Sequence, residues 1–167
     1  ASGKAVKKKD LAQIAMAYGY VYVAQIAMGA NPNQTLQALR EAEAYDGPSL
    51  IIAYAPCINH GVKAGMNKAM LEMKNAVRSG YWNLLRYNPT LAAEGKNPLS
   101  IDSGVATESY RDFIMGEVRY NSLKLKFPDR AEQLFTKAEE LAHDRYDELI
   151  TRRDSFSELE TLEKGGK

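Results

Sequence analysis

Gly47-Pro-Ser-Leu-Ile-Ile-Ala-Tyr-Ala-Pro-Cys-Ile-Asn-His-Gly61 is the stretch on which the reading of the fold turns. Gly47-Pro48 makes a turn, and residues 50–55 form an apolar run without helical period. A short run of that kind reads as a strand buried on both faces, as in a parallel sheet. Pro56 has no N–H to donate, so the ladder ends there. Cys57, the only cysteine, falls just past the strand's carboxyl end. That is the side on which open α/β sheets bind ligands.

Working outward, Asp10 is placed as an N-cap, with Gln13 positioned to reach back as in a capping box. Leu11, Ile14, Ala15 and Tyr18 share one face of the helix that follows, and Gly19 stops it. Residues 20–28 are rich in Val, Tyr and Ile and predict a strand. Pro32 stands near the start of a second helix whose buried stripe is Leu36, Leu39 and Ala42. Downstream of Cys57, the residues Met66, Ala69, Met70, Met73, Ala76 and Val77 keep a helical spacing and read as core. Gly80 ends that helix, and residues 81–87 predict a third strand stopped by Asn88-Pro89. The alternation implies an α/β fold, a mostly parallel sheet with flanking helices.

The second half changes character. Residues 91–104 contain Gly95, Pro98 and Gly104 and predict a wrapping loop. Residues 107–124 predict a helix on Tyr110, Ile114 and Val118, broken at Phe127-Pro128. Residues 129–153 predict a long helix. Leu134, Ala138, Leu141, Ala142, Leu149 and Ile150 turn inward there, and Glu139, Glu140, Asp144 and Arg145 face solvent. From residue 154 the chain is polar and without period.

A chain of 167 residues suits one domain with a real core. Its 22 basic and 21 acidic residues nearly cancel, which gives no case for nucleic acid. Lys7, Lys8 and Lys9 read as a solvated arm. A lone cysteine excludes an intramolecular disulfide and suits a reducing compartment. No apolar stretch is long enough for a membrane span, and no signal peptide is visible. The opening Ala-Ser-Gly-Lys lacks an initiator Met, so a piece of a longer protein is expected.

Residue chemistry leaves Cys57 open among three readings: a small apolar filler, a nucleophile paired with His60, or a metal or cluster ligand completed from outside the chain. His60 reads as a loop residue without an assigned role. His143, between Glu139 and Asp147, suits a surface ion pair. Gly61-x-x-x-Gly65 lacks the third glycine and the acidic residue of a dinucleotide fingerprint, and reads as a flexible loop entering a helix.

Four blocks carry a family resemblance. They are Lys9-Asp-Leu-Ala-Gln-Ile-Ala-Met-Ala-Tyr-Gly-Tyr-Val-Tyr-Val-Ala, the 47–61 stretch, and Ser79-Gly-Tyr-Trp-Asn-Leu-Leu-Arg-Tyr-Asn-Pro with Gly95-Lys-Asn-Pro. Over residues 4–148 the chain resembles pyruvate:ferredoxin (flavodoxin) oxidoreductase, in the C-terminal part of its thiamine-diphosphate-binding domain. On that resemblance residues 1–90 are the C-terminal half of an α/β domain, 91–153 its wrapping loop and C-terminal helices, and 154–167 a polar tail.

The resemblance implies a cytoplasmic homodimer that converts pyruvate and coenzyme A to acetyl-CoA and carbon dioxide. Thiamine diphosphate with Mg²⁺ and [4Fe–4S] clusters are the implied cofactors, and ferredoxin or flavodoxin the implied partner. It also implies that Cys57 is the fourth thiolate of the [4Fe–4S] cluster nearest the thiamine ring. The other ligands, and those for Mg²⁺ and the diphosphate, lie in the remainder of the polypeptide. Neither nucleic acid nor membrane is expected as a partner. The piece by itself is expected to be inactive. Two rivals remain: another 2-oxoacid:ferredoxin oxidoreductase, and a non-catalytic binding or assembly module.

Overall fold

The structure, a computed structural model, describes residues 6–165, with side chains described through residue 156. Asp10 accepts from the Gln13 N–H at 3.0 Å and opens α1, Leu11–Met16. Gly19 leaves it at φ +76, a conformation that costs glycine little. The Gln13 side chain reaches Glu148 (3.3 Å) rather than back to the cap, so the capping box is only half formed. Strand β1 is Tyr22–Ile26, buried at every position. Asn31 caps α2, Pro32–Ala44, with proline in the first turn. Strand β2, Ser49–Ala53, then lies parallel to β1, completing a β-α-β unit.

A 3-10 turn, Met66–Lys68, leads into α3, Ala69–Arg78, and Gly80 ends it at φ +72. Strand β3 is Leu85–Tyr87. The predicted wrapping loop instead holds a short helix α4, Pro89–Ala93, and strand β4, Leu99–Ile101. Asn88-Pro89, expected only to stop a strand, starts that helix, because asparagine at the cap and proline at the first position suit a helix start. The sheet has the order β2-β1-β3-β4. The fold is α/β with flanking helices as expected, but β3 pairs antiparallel with β1, and β4 antiparallel with β3. The interior strands are β1 and β3; among the described residues β2 is an edge and only half-buried, so the 50–55 run is not enclosed on both faces.

Helices α5, Tyr110–Gly116, and α6, Val118–Lys126, replace the single helix predicted over 107–124. Glu117 separates them in extended geometry (φ −81°, ψ 119°). Pro128 begins α7, Pro128–Gly165, which carries the polar stretch after residue 154 as helix. The rest of that stretch, 166–167, lies outside the described residues.

Tyr22, Ala24 and Ile26 pack against Ala38 of α2 on one face of the sheet. On the other, Val23, Leu85, Tyr87 and Leu99 meet Ala12, Ala15 and Met16 of α1 and Leu149 of α7. A third cluster joins Ala76, Tyr110, Phe113, Ile114, Leu123, Ala131 and Phe135. Two predicted stripes are therefore right only in part: Ala15 is buried and Ala42 packs against the core, but their larger members turn out. Leu11 and Ile14 of α1, Tyr18 just past its end, and Leu36 and Leu39 of α2 are exposed. Ala15 faces the sheet as expected, and Ala12 and Ala38, not singled out, join it and let the helices approach closely. The methionine stripe is core only in part, since Met70 is exposed. At Gly29 the backbone of Met70 passes so near that a Cβ would strike it. That contact seats α3 at the carboxyl end of β1.

Arg86 of β3 spans the sheet's α2 face. Its Nε and Nη2 donate to both carboxylate oxygens of Asp102 at 2.9 Å, and Nη1 donates to Glu41, which also accepts from the Tyr22 hydroxyl. Gln34 closes the network by donating to Asp102 at 3.0 Å.

Candidate functional site

The carboxyl ends of β1 and β2 carry the candidate chemistry. Tyr54 extends the ladder by one bond, its N–H donating to Ile26 O at 2.9 Å. Pro56 is buried and cannot continue the pairing. The chain then turns outward at Cys57, which is exposed, and Gly61 closes the turn by donating to Cys57 O at 2.8 Å. Within this chain Cys57 is exposed and fills no part of the chain's own core.

The structure also brings in His60, to which the sequence assigned no role. Its Nδ1 lies 3.1 Å from Cys57 Sγ. That contact first, then the backbone N–H groups of His60 and Asn59, pulls the thiol down to about 7. The site thus offers a soft donor that is about half thiolate at neutral pH, far more than an ordinary thiol. A histidine three positions on within a closing turn was the only available sequence signal for this.

Beneath the loop lies a buried polar pair. The Tyr54 hydroxyl donates to Glu117 Oε1 at 3.0 Å, while its ring packs at 5.9 Å on Tyr81 and 5.8 Å on Trp82. Burial, and then Glu117, push the Tyr54 hydroxyl far above its usual range. Glu72 is buried beside Glu117 and its carboxyl is raised, by burial first and by the Glu117 charge second. Neither glutamate was singled out from sequence, because both sit in stretches that read as ordinary amphipathic helix.

Arg145 corrects another expectation. Placed by periodicity on a solvated face, it turns inward across the sheet end. Its Nη2 donates to Gln25 Oε1 at 2.7 Å, its Nε stands 2.8 Å from Asp10, and its guanidinium lies 5.8 Å above Trp82. These groups border a cavity of about 800 Å³ with Tyr81, Tyr120 and Lys8 on its walls. Lys7, Lys8 and Lys9 are exposed as expected, Lys7 pairing with Glu148 at 3.3 Å. His143 joins none of the ion pairs among the described residues, so its expected surface pair is not formed.

Among the described residues no three His, Cys, Asp or Glu side chains group to hold a metal ion. Cys57 fits the role of one ligand in a set completed elsewhere. It is exposed, soft and readily ionised, at the ligand side of the sheet. No described helix is long and apolar enough to cross a membrane.

No protein-family model matches the chain. Curated proteins do. Over 139 residues, 83% of this chain, it is 63% identical to the pyruvate:ferredoxin oxidoreductase of Moorella thermoacetica. Over 146 residues, 87% of the chain, it is 57% identical to the pyruvate-flavodoxin oxidoreductase of Klebsiella pneumoniae. By sequence, the chain matches a segment of the pyruvate:ferredoxin/flavodoxin oxidoreductases. It spans about 12% of the length of each of these relatives. Over 132 residues it is also 46% identical to the pyruvate dehydrogenase [NADP(+)] of Euglena gracilis, of which it spans 7%. The chain thus presents one exposed thiol on a tied-down loop, above two buried carboxyl groups.

Proposed function

We propose that this chain is one segment of an oxidoreductase that decarboxylates pyruvate oxidatively with coenzyme A, giving acetyl-CoA and carbon dioxide. Electrons leave through [4Fe–4S] clusters to ferredoxin or flavodoxin. The observation that carries the reading is the 63% identity over 83% of the chain, joined to a single ionisable thiol at the sheet's carboxyl end. When bound, thiamine diphosphate with Mg²⁺ supplies the decarboxylation chemistry, and the clusters supply one-electron carriage.

The chain's own part is narrower. Cys57 binds one corner of a cluster, its sulfur aimed by a loop that leaves a hydrogen-bonded strand. His60 favours the thiolate from 3.1 Å. Residues 1–90 form the C-terminal half of the thiamine-diphosphate domain, with 91–153 and 154–167 completing it. The remaining cluster ligands and the diphosphate and Mg²⁺ ligands come from elsewhere in a longer, homodimeric, cytoplasmic polypeptide. The chain in isolation is inactive.

A different acceptor is the second reading, because the Euglena gracilis relative bears NADP(+) in its name. Ferredoxin or flavodoxin is proposed because the relatives at 57–63% identity carry those names. The test is low-temperature EPR of the dithionite-reduced, full-length protein prepared without oxygen, parent beside Cys57→Ser. Selective loss or alteration of one [4Fe–4S] signal is expected. Identical spectra would remove Cys57 from the cluster.

A further inference from the structure

The loop that presents Cys57 leaves the sheet at Tyr54 and comes back at Val62, and a single residue from the second half of the chain holds both stems. Glu117 accepts from the Tyr54 hydroxyl through Oε1 at 3.0 Å. Its backbone faces Val62 in an isolated antiparallel bridge. On either side of that bridge Lys63 N–H donates to Gly116 O at 2.9 Å and Val118 N–H donates to Gly61 O at 3.2 Å. The extended geometry of Glu117, between α5 and α6, makes this possible. A residue breaking a helix frees backbone groups that must be paired elsewhere, and here they are paired with the returning stem of the loop.

Packing alone does not ask for a carboxylate at this position. Glu117 is 6% exposed and adjoins an aromatic cluster, where an apolar side chain would avoid the cost of burying charge. Glu72 raises that cost. It is equally buried, its Oε1 lies 3.4 Å from the point where a Cβ on Gly116 would stand, and that oxygen has no hydrogen-bond partner among the described residues. Two carboxyl groups forced together under one loop form a costly arrangement, of the kind kept where geometry must be held.

We propose that Glu117 is a positioning residue for the Cys57 loop, a clasp that joins its outgoing and returning stems and so fixes where the thiolate meets the cluster. The proposal rests on the reading of Cys57 as a cluster ligand. The clasp acts through Tyr54 on one side and through the Val62 bridge on the other.

The test uses the full-length enzyme with Cys57→Ser, Glu117→Ala, Glu117→Gln and Tyr54→Phe. Glu117→Ala is expected to alter the line shape and reduction potential of the one signal that Cys57→Ser removes, leaving the other clusters as they are. Tyr54→Phe, which deletes a single hydroxyl, should move that signal in the same direction. Glu117→Gln, which still accepts from Tyr54, should restore it. A normal signal and potential in Glu117→Ala, or no rescue by Gln, overturns the clasp while the ligand reading stands. If Cys57→Ser leaves every signal intact, the ligand reading fails instead. Amide exchange at Lys63 and Val118 then decides the clasp. Exchange about tenfold faster in Glu117→Ala, reversed by Gln, supports it, and unchanged exchange overturns it.

Discussion

Cys57 Sγ and His60 Nδ1 stand 3.1 Å apart on an exposed turn, a contact made by two side chains only three residues apart. The imidazole stabilises the thiolate, which lowers the thiol to about 7. In the cluster-free chain, the rate of alkylation by iodoacetamide should therefore rise with pH to a midpoint near 7. His60→Ala should move that midpoint upward, toward the ordinary thiol value. A profile unchanged by His60→Ala would show that the contact does not govern the thiol.

The Arg86–Asp102 fork is mostly buried, with side-chain exposures of 15% and 14%. Removing the guanidinium leaves Asp102 and Glu41 without their shared charge partner, with only neutral donors such as Gln34 and Tyr22 remaining. Arg86→Ala should cost about 3–5 kcal/mol in urea unfolding, the range for breaking a buried ion pair. Arg86→Lys should recover part of that only, because a single ammonium cannot reproduce the fork.

Glu72 gives a pH dependence whose sign follows from its raised carboxyl. The folded chain keeps this proton at pH values where the unfolded chain has lost it. Glu72 thus makes no penalty below the ordinary carboxylate range and destabilises progressively as pH rises above it. Glu72→Gln should remove this slope. The gain of the variant over the parent in thermal unfolding should grow as the pH rises above the ordinary carboxylate range. A constant difference over that rise would exclude the effect.

Leu149 and Leu36 separate true core from apparent core. Leu149 is 1% exposed in the cluster that α7 shares with α1 and the sheet, whereas Leu36 is 52% exposed on α2. Leu149→Ala should cost about 2–5 kcal/mol. Leu36→Ala should stay within about 0.5 kcal/mol. Equal losses would mean that the sequence's apolar stripe, not the observed packing, describes α2.

What the sequence made legible was local chemistry. Asp10 as a cap, Pro32 at a helix start, and Gly19 and Gly80 at helix ends all act through their own backbone, and all stand where expected. The Cys57 position at the carboxyl end of a strand was legible for the same reason, since Pro56 marks the strand's end. What failed depended on partners far along the chain. The outward turn of Leu11 and Leu36 follows from alanines that fit closely against the sheet, which a count of apolar residues undervalues. Antiparallel β3 reflects a return path that no local pattern encodes. The break at Glu117 was hidden because Tyr110, Ile114 and Val118 keep their spacing across it. Arg145 turned inward because Gln25, Asp10 and Trp82, distant in sequence, gather at its side.

Strand β2 has a neighbour on one side only among the described residues. Its sequence, Ser-Leu-Ile-Ile-Ala, contains no lysine, proline or charge of the kind that blunts exposed edges. Its outer row of backbone donors and acceptors is therefore a template open to another extended segment. Within the described residues this edge is the one side of the sheet's β1–β2 pair at which a further extended segment, from the same polypeptide or another copy, could add along residues 49–53.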